Sequence, residues 1–387
     1  MADLPSDAAA ASRPKYKLVV SDFHLGKGRY FRDGTQNILE DFIYDREFGE
    51  FVQYYRTGGF IDADVELILN GDILNLLQID TWGVHTHLIT ERSVARAVER
   101  IVAGHPEFFQ ALRRFCATPH HSISYVVGNH DSGMLFQGAR QAFSDACGAL
   151  VKFHDVHYLF DGIYVEHGQQ YERFASTDMN RPFITRGLPE PVLNLPWGSL
   201  FVAVVLPKIK TERPHIDKVR PFRAFIVWSL LHDFWWLVKI ALWSLKFIFD
   251  TVLFQRRYQI GQGVRATLGL LKEISFYPNY DKIAFKILDE REDVHTVIFG
   301  HTHVLRFRQW REGKEYFNEG TWNEMTNLDL SEYGTKTRLT YAFIDYPTAT
   351  VEDAGSGTTG TAAPGARAKV RLKQWHGVWK PESEILV

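Results

Sequence analysis

The stretch "SISYVVGNHD", residues 122–131, is a run of apolar and β-branched residues that ends in polar groups able to bind metals. Such runs favour a β-strand, whereas Asn129, His130 and Asp131 behind it fit neither a buried core nor a simple turn. A second stretch of this kind, "VHTVIFGHTH" at 294–303, ends in His301 and His303. Both stretches predict a strand whose carboxyl end carries part of a site.

Three further strand-like runs end in the same way. In a D-x-H or H-x-H motif the two side chains point to the same face, so that both can reach one ion. Ligands at the carboxyl ends of strands in an open α/β sheet converge on one crevice. One such motif alone is a weak signal, but all five in order predict a metal centre. The three further runs are "YKLVVSDFH" (16–24, with Asp22 and His24), "VELILNGD" (65–72, with Asp72) and "GIYVEHG" (162–168, with His167).

The elements between these runs predict an α/β core. Several runs are continuously apolar, which is typical of strands covered on both faces, and helical patterns at 35–56 and 91–116 alternate with them. After residue 303 the pattern changes to strands without helices between them, at 315–322, 338–346 and 368–377. The Gly-, Ala- and Thr-rich segment before the last strand predicts a flexible hairpin loop.

The domain organisation follows from where this pattern is interrupted. Residues 1–14 are polar and small, without the apolar core of a secretory signal, and predict a disordered tail. Residues 15–185 and 275–387 form the predicted core, and residues 186–274 a helical hydrophobic insertion about the size of a small domain.

The composition excludes several classes of protein. A chain of 387 residues with 45% apolar and 23% charged residues is globular. A formal net charge of −2 gives no general attraction to nucleic acid. Two cysteines, Cys116 and Cys147, supply neither a disulfide framework nor a thiolate metal cluster, and indicate a reducing, cytoplasmic location.

The order D-x-H, GD, GNHD, H and GHTH resembles the calcineurin-like metallophosphoesterase superfamily, and the resemblance covers residues 16–346 apart from the insertion. It implies an α/β (α+β) fold in which helices flank a β-sandwich and two metal ions lie at its edge. It also implies the ligands: Asp22, His24 and His303 for the first ion, Asn129, His167 and His301 for the second, and Asp72 bridging both.

The same resemblance implies the chemistry. Nitrogen and carboxylate ligands suit Mn²⁺, Fe or Zn²⁺ better than Ca²⁺, and the resemblance favours manganese. Two such ions lower the pKa of a water molecule, which then attacks phosphorus in line. His130 would donate to the leaving oxygen or support it electrostatically, and Asp131 would orient its ring.

The insertion contains "WSLLHDFWWLVKIALWSLKFIF" at 228–249, an apolar helix that is nearly long enough to cross a bilayer. A single span is excluded, because it would put two strands of one fold on opposite sides of the membrane. Lys239 and Lys246 near its middle would each cost roughly 2.5–3.5 kcal/mol. Two interpretations remain: a structural cap, or a lid or interfacial element that accepts acyl chains, supported by the basic segment 208–223.

The substrate expectation follows from the insertion. Within the superfamily the chain most resembles the UDP-2,3-diacylglucosamine pyrophosphatases, whose helical insertion holds acyl chains beside the metals, although that family generally has Arg in place of His130 and a shorter lid. We expect a phosphodiester or pyrophosphate of a lipid-linked substrate such as a UDP-diacylglucosamine-like molecule. We also expect peripheral contact with the inner membrane face through residues 193–255.

Two other function classes remain open. One is a soluble phosphodiesterase or nuclease with a structural helical cap, and the other is a binding module without catalysis. A nuclease requires a basic groove near the metals. Because the basic cluster lies inside the apolar insertion instead, no nucleic-acid partner is expected.

Several residues near the motifs carry weaker signals. Lys27 and Arg29 could steer a phosphate, but solvated loop charges are the favoured interpretation. His85 and His87 form a second H-x-H, for which a role at a helix start or in a pocket wall is favoured over a third metal site. Asn75 stands where many relatives carry an acidic residue, and the segment 318–322 is expected to be structural.

Overall fold

Two β-sheets stacked face to face form the centre of the chain. The computed structural model describes residues 13–80, 83, 85, 88–220, 222–258, 278–328, 334–347 and 367–385. The strands, in chain order, are β1 (Lys15–Val20), β2 (Asp64–Asn70), β3 (His121–Val126), β4 (Lys152–His154), β5 (His157–Phe160), β6 (Ile163–Glu166), β7 (Phe183–Ile184), β8 (Val192–Leu193), β9 (Val219–Arg220), β10 (Thr296–Phe299), β11 (Arg306–Gln309), β12 (Glu315–Asn318), β13 (Glu324–Asn327), β14 (Gly334–Thr337), β15 (Leu339–Asp345), β16 (Lys369–Trp375) and β17 (Glu382–Glu384).

The helices of the described residues surround these sheets. They are α1 (Asp45–Tyr54), α2 (Glu91–Gly104), α3 (Pro106–Cys116), α4 (Gln137–Cys147), α5 (Trp197–Val204), α6 (Leu206–Lys210), α7 (Phe222–His232), α8 (Phe234–Tyr258) and α9 (Tyr280–Glu290).

The first sheet has the strand order β17-β16-β15-β1-β2-β3-β4, and the second has the order β11-β12-β10-β6-β5. In the first sheet β1, β2, β3 and β4 are parallel neighbours, while β15 to β17 run antiparallel. In the second sheet β6, β10 and β12 are parallel. Parallel neighbours end at the same edge of a sheet, which is what brings distant motifs together.

The two sheets meet through a largely apolar layer, in which Val19 and Ile68 of the first sheet pack with Val165 and Ile298 of the second. Helices α1 to α4 cover the outer face of the first sheet, and α9 covers the second. The predicted sandwich flanked by helices is therefore confirmed, and the continuously apolar strands are covered on both faces as expected.

Two predicted helices differ in the structure. The helix expected over 35–56 begins only at Asp45, because the preceding loop is tied down by Glu40, whose carboxylate accepts from the backbone amides of Gly26 and Gly28. The helix expected over 91–116 is broken between α2 and α3, where Pro106 lacks the N–H that would continue the first helix.

Two other predicted segments lie wholly or largely outside the described residues: the N-terminal tail and the Gly-rich loop before the last strand. The strands that flank this loop, β15 and β16, pair antiparallel with Leu339 opposite Trp375. This is the hairpin pairing that the sequence predicted.

The insertion is built in two parts. Its first part joins the main core, since Leu193, Leu195 and Ala203 are buried in that core. Its second part, α6 to α8, forms a separate apolar cluster around Val205, Ile209 and Trp236. Of the helices searched among the described residues, none is by itself long and apolar enough to cross a membrane. The pair 224–232 and 234–250 passes on length and composition, but it is bent by 118°.

Candidate metal centre

The five sequence motifs meet at one edge of the sandwich. Asp22, Asp72 and Asn129 lie in the loops after β1, β2 and β3, which are adjacent and parallel in the first sheet. His167 and His301 follow β6 and β10, which are adjacent and parallel in the second sheet. Because all five strands end on the same side, strand direction alone brings their loops together.

The ligands predicted for the first ion are in mutual reach. The Nε2 atom of His303 lies 3.1 Å from Oδ1 of Asp22 and 3.1 Å from Nε2 of His24. One ligand atom from each of these three residues falls within 4.8 Å of the others, so they form one cluster as predicted.

Two ligands predicted for the second ion, His167 and His301, form an adjoining cluster with the predicted bridging residue Asp72. Nε2 of His167 lies 3.1 Å from Oδ2 of Asp72, and ligand atoms of Asp72, His167 and His301 lie within 4.8 Å of one another. Nδ1 of His167 is 2.8 Å from the carbonyl oxygen of Asn70. Since a carbonyl only accepts, Nδ1 carries the proton and Nε2 is left as the ligand atom.

The backbone at this edge is strained. A positive φ is uncommon for a residue other than glycine and clusters at functional sites. Most of the predicted ligands adopt it: Asp22 (57°), His24 (52°), Asp72 (52°), His301 (65°) and His303 (59°).

Two motif glycines are required by close approach. A Cβ on Gly128 would lie 2.3 Å from Oδ1 of Asp72, and a Cβ on Gly71 would lie 2.5 Å from the ring of His167. Gly71 also has a φ of +79°. The glycines of GNH and GD thus let one ligand loop pass directly beside another.

The side chains fit a pair of cations. Oδ1 of Asp22, Oδ1 of Asn129 and Nε2 of His167 are buried and make no hydrogen bond with the described residues. Such orphaned polar atoms are costly unless a ligand satisfies them. Neutral imidazole and carboxylate together suit Mn²⁺, Fe or Zn²⁺.

The electrostatics agree with this fit. Burial lowers the pKa of His24 to about 3, so that its ring is neutral, as a metal ligand requires. Burial also lowers the pKa of His167, but the carboxylates of Asp72 and Asp22 outweigh it and raise the value to about 10. A cation between these carboxylates would take the place of that proton.

His130 lies beside both clusters, but its partner differs from the one predicted. Its ring centroid is 4.5 Å from that of His24, and its backbone amide donates to Oδ1 of Asp72 over 2.8 Å. Its Nδ1 lies 3.0 Å from Oδ1 of Asn75, so Asn75 occupies the orienting position that we had assigned to Asp131.

Asp131 has a structural role instead. Its fully buried carboxylate accepts from the amide of Ile73 (2.9 Å), the amide of Gly128 (2.6 Å) and the hydroxyl of Tyr125 (2.5 Å). Burial, with repulsion from Asp72, raises the pKa of Asp131 to about 7. These contacts hold the loop after β3 against the loop after β2, and they point the carboxylate away from the His130 ring nitrogen.

The sequence prediction missed Glu172. Its Oε2 lies 3.1 Å from Nε2 of His301, and its Oε1 accepts from the hydroxyl of Tyr280 over 3.0 Å. Glu172 lies in an irregular segment five residues after His167, so no strand-end pattern distinguished it from other acidic residues.

The weaker candidates are placed as follows. Lys27 forms a salt bridge with Asp80 over 2.5 Å. It is therefore neither a solvated loop charge nor a cation free to bind a phosphate. His85 is half-buried, while His87 lies outside the described residues. In the segment 318–322, Thr321 donates to the carbonyl of Asp22 over 2.8 Å, which is a supporting contact to the metal site.

Comparison with known proteins finds only distant similarity to solved structures. Neither protein-family models nor curated protein sequences give a match. Similar solved structures include a predicted phosphoesterase from Streptococcus pneumoniae (10% identity, 97% of this chain and 99% of that one, TM-score 0.31). Others are a dimetal phosphatase from Danio rerio (9%, 86% and 96%, 0.33) and a calcineurin-like phosphoesterase from Bacillus subtilis (12%, 94% and 91%, 0.30). The assignment of fold and site rests on the strands and side chains described above.

Proposed function

We propose that this chain is a dinuclear metal-dependent phosphohydrolase that cleaves a phosphodiester or pyrophosphate bond, with manganese as the preferred metal. The observation that carries the proposal is that the two ligand clusters adjoin at Asp72, whose Oδ2 lies 3.1 Å from Nε2 of His167 in the second cluster and 3.9 Å from Nε2 of His24 in the first. When bound, two divalent ions supply Lewis acidity and lower the pKa of a water molecule.

The residues of the chain would bind the ions and orient the substrate. Asp22, His24 and His303 hold one ion, Asn129, His167 and His301 the other, and Asp72 both. His130, adjacent to both clusters, would donate a hydrogen bond to the leaving oxygen in its doubly protonated form, while Oδ1 of Asn75 accepts from Nδ1 and fixes the plane of the ring. The strained backbone is consistent with ligands pre-positioned for charge stabilisation.

The position of the insertion supports a substrate that reaches beyond the metals. Helix α5 packs against residues 76–78, which follow Asp72. Lys210, the last residue of α6, pairs with Asp41, in the loop after His24. Strand β9 pairs with β13, just beyond the segment that contacts Asp22. The base of the insertion therefore touches three loops that continue from the site.

An exposed apolar surface covers one side of the insertion. One face of α8 is packed, through Trp236, Ile240 and Phe247, while the opposite face is open. On the open face Trp235 is 80% exposed and Phe249 64%. Contiguous apolar surfaces of this kind mark contacts with membranes or proteins. Further exposed apolar residues are Phe234, Leu242 and Leu245 on α8 and Val227, Trp228, Leu230 and Leu231 on α7.

The basic segment 208–223 contributes less than its sequence suggested. Lys210 and Lys218 both pair with Asp41, and Arg213 pairs with Asp233 over 2.6 Å. These cations are therefore neutralised within the protein. The apolar face, rather than free positive charge, supports contact with a lipid–water interface.

We therefore propose an amphiphilic substrate, such as a lipid-linked phosphate or pyrophosphate ester, met at the cytoplasmic membrane face. The test is turnover of bis-p-nitrophenyl phosphate with Mn²⁺, followed by turnover of a lipid-linked pyrophosphate in micelles. Absence of hydrolysis of both substrates in metal-loaded protein would refute the enzymatic proposal. Hydrolysis of only the small diester would favour a soluble phosphodiesterase with a structural cap.

A further inference from the structure

Glu172 joins a predicted metal ligand to the two chain segments that flank the insertion. It follows β6 on the side before the insertion, and its Oε2 lies 3.1 Å from Nε2 of His301. Tyr280, the first residue of α9 on the side after the insertion, donates to Oε1 of the same carboxylate over 3.0 Å. The Tyr280 hydroxyl is also 3.2 Å from the carbonyl of Gly168. One carboxylate is thus shared by a ligand ring and a helix terminus.

This arrangement is buried and well packed. The Glu172 and His301 side chains are each only 12% exposed, and Tyr280 packs edge-on against Phe299, two residues before His301. A buried carboxylate is stable only where donors satisfy both of its oxygens. Here the imidazole satisfies one oxygen and the tyrosine the other.

We propose that Glu172 is a positioning residue for the second metal ion, acting through His301, and that Tyr280 holds Glu172 in place. A histidine that binds a metal usually donates its other ring N–H to a carboxylate or carbonyl, which fixes the tautomer and the ring plane. His167 has such a partner in the carbonyl of Asn70, and Glu172 is the corresponding partner of His301. The inference rests on the proposed metal centre, but not on the reaction that it performs.

The contact between Glu172 and Tyr280 also connects the insertion to the predicted metal site. Because α9 begins at Tyr280, the point where the chain returns from the insertion is tied by two hydrogen bonds to the ring of a metal ligand. A change in how α9 is seated would therefore be transmitted to His301 through the Glu172 carboxylate.

The test is titration of the metal-free full-length protein with Mn²⁺, followed by calorimetry and by metal analysis after gel filtration. We expect two ions in the wild type. Glu172→Ala should weaken one of them by about 10- to 100-fold. Glu172→Gln keeps an oxygen acceptor and should lose less, and Tyr280→Phe should lose least, because it removes one hydroxyl and leaves Glu172.

Glu382 provides the matched control. It also accepts hydrogen bonds from tyrosines, at 2.5 Å from Tyr55 and 2.7 Å from Tyr341, but on strand β17. Glu382→Ala should lower the free energy of unfolding without changing the binding of either ion. This control separates a loss of metal affinity from a general loss of stability.

Two results would overturn the inference. If Glu172→Ala binds both ions with wild-type affinity, Glu172 positions nothing. If Glu172→Gln loses one ion as completely as His301→Ala does, Glu172 is a direct ligand rather than a positioning residue. Because binding is measured without turnover, a chain that binds two ions and hydrolyses nothing would refute the proposed function and leave this inference standing.

Discussion

The side-chain oxygen of Asn75 lies 3.0 Å from Nδ1 of His130, and this contact joins the loop after β2 to the loop after β3. The same two loops are joined a second time by the amide of His130, which donates to Asp72. His130 is therefore held at two points beside the predicted metal ligands, its ring by Asn75 and its backbone by Asp72. Its other ring nitrogen is the group that would face a bound phosphate.

This contact predicts a coupled loss of activity. Replacing His130 by Ala should lower kcat about 100-fold on a diester with a poor leaving group, the lower end of the range for general acid catalysis. Asn75→Ala should lower kcat less, because the ring stays but is no longer held. The double variant should be no slower than His130→Ala alone. Additive losses would show that Asn75 acts independently of His130.

Asn129 should be needed for metal binding but not for folding. Its Oδ1 is buried without a hydrogen-bond partner among the described residues, so removing it breaks no internal bond. Asn129→Ala should lower bound metal from two ions toward one and reduce hydrolysis at least 100-fold, with an unchanged unfolding midpoint. Asn194→Ala, which removes a hydrogen bond to the Arg181 carbonyl away from the site, is the control. Near-wild-type turnover of Asn129→Ala would contradict the ligand assignment.

Asp131 should be needed for the stability of the fold rather than for metal binding. Asp131→Ala leaves two buried amides and the Tyr125 hydroxyl without an acceptor. We expect the free energy of unfolding to fall by about 2–4 kcal/mol, as measured by urea denaturation. The exposed Asp62→Ala should change it by less than about 0.5 kcal/mol. An inactive Asp131 variant of full stability would restore the catalytic role first predicted for this residue.

His105 predicts how stability depends on pH. Burial lowers the pKa of His105, but its hydrogen bond with Asp45 and its ion pair with Glu40 outweigh this and raise the value to about 9, against about 6.5 when unfolded. The stabilisation is complete below about pH 6.5 and is lost as the pH rises through 9. The difference of about 2.5 units corresponds to roughly 3 kcal/mol.

Urea unfolding at pH 6 and pH 10 measures this effect. Between pH 6 and pH 10 the free energy of unfolding of the wild type should fall by roughly 3 kcal/mol more than that of His105→Gln, because glutamine does not titrate. Parallel pH curves for the two proteins would show that the charged His105 does not stabilise the junction between α2 and α3.

The open face of α8 predicts binding to lipid vesicles. Trp235, Leu242 and Phe249 are 80%, 60% and 64% exposed, and burying each in a bilayer interface would stabilise binding by roughly 1.5–3 kcal/mol. Replacing all three by Gln should abolish co-flotation with phosphatidylcholine vesicles while small diesters are still hydrolysed. Trp379→Gln, at a residue 99% exposed elsewhere, is the control.

Point substitutions are preferable to deletion of the insertion, because Leu193, Leu195 and Ala203 belong to the main core. If the triple variant floats like the wild type, the face does not bind lipid. If the wild type does not float but the triple variant alone is monomeric on gel filtration, a second copy covers the face.

The convergence of the motif residues could be predicted from local patterns, whereas the sandwich was implied only by the resemblance to a known family. An apolar strand followed by Asp or His places its ligand by strand direction alone, and parallel neighbours such as β6 and β10 then bring His167 and His301 together. The limits of the helices were less predictable, since the loop before Asp45 is set by Glu40, whose hydrogen bonds are tertiary.

The residues that hydrogen-bond to the predicted ligands and to His130 could not be predicted, because these contacts are tertiary too. Asp131 and Asn75 are equally plausible partners of His130 in the sequence. Only the tertiary structure shows that the carboxylate of Asp131 already accepts hydrogen bonds from the amides of Ile73 and Gly128. Glu172 and Tyr280 are 108 residues apart with the insertion between them. No spacing rule relates two such positions.

The buried ammonium of Lys210 has a consequence for the history and engineering of the chain. It is fully buried between Asp41 and Asp217, and removing one member of such a pair costs about 3–5 kcal/mol. A core that acquired these helices without an acid at position 41 would have left the buried Lys210 with only one carboxylate partner, Asp217 of the insertion itself. Swapping the helices between homologues should therefore succeed only when the loop containing residue 41 is exchanged with them.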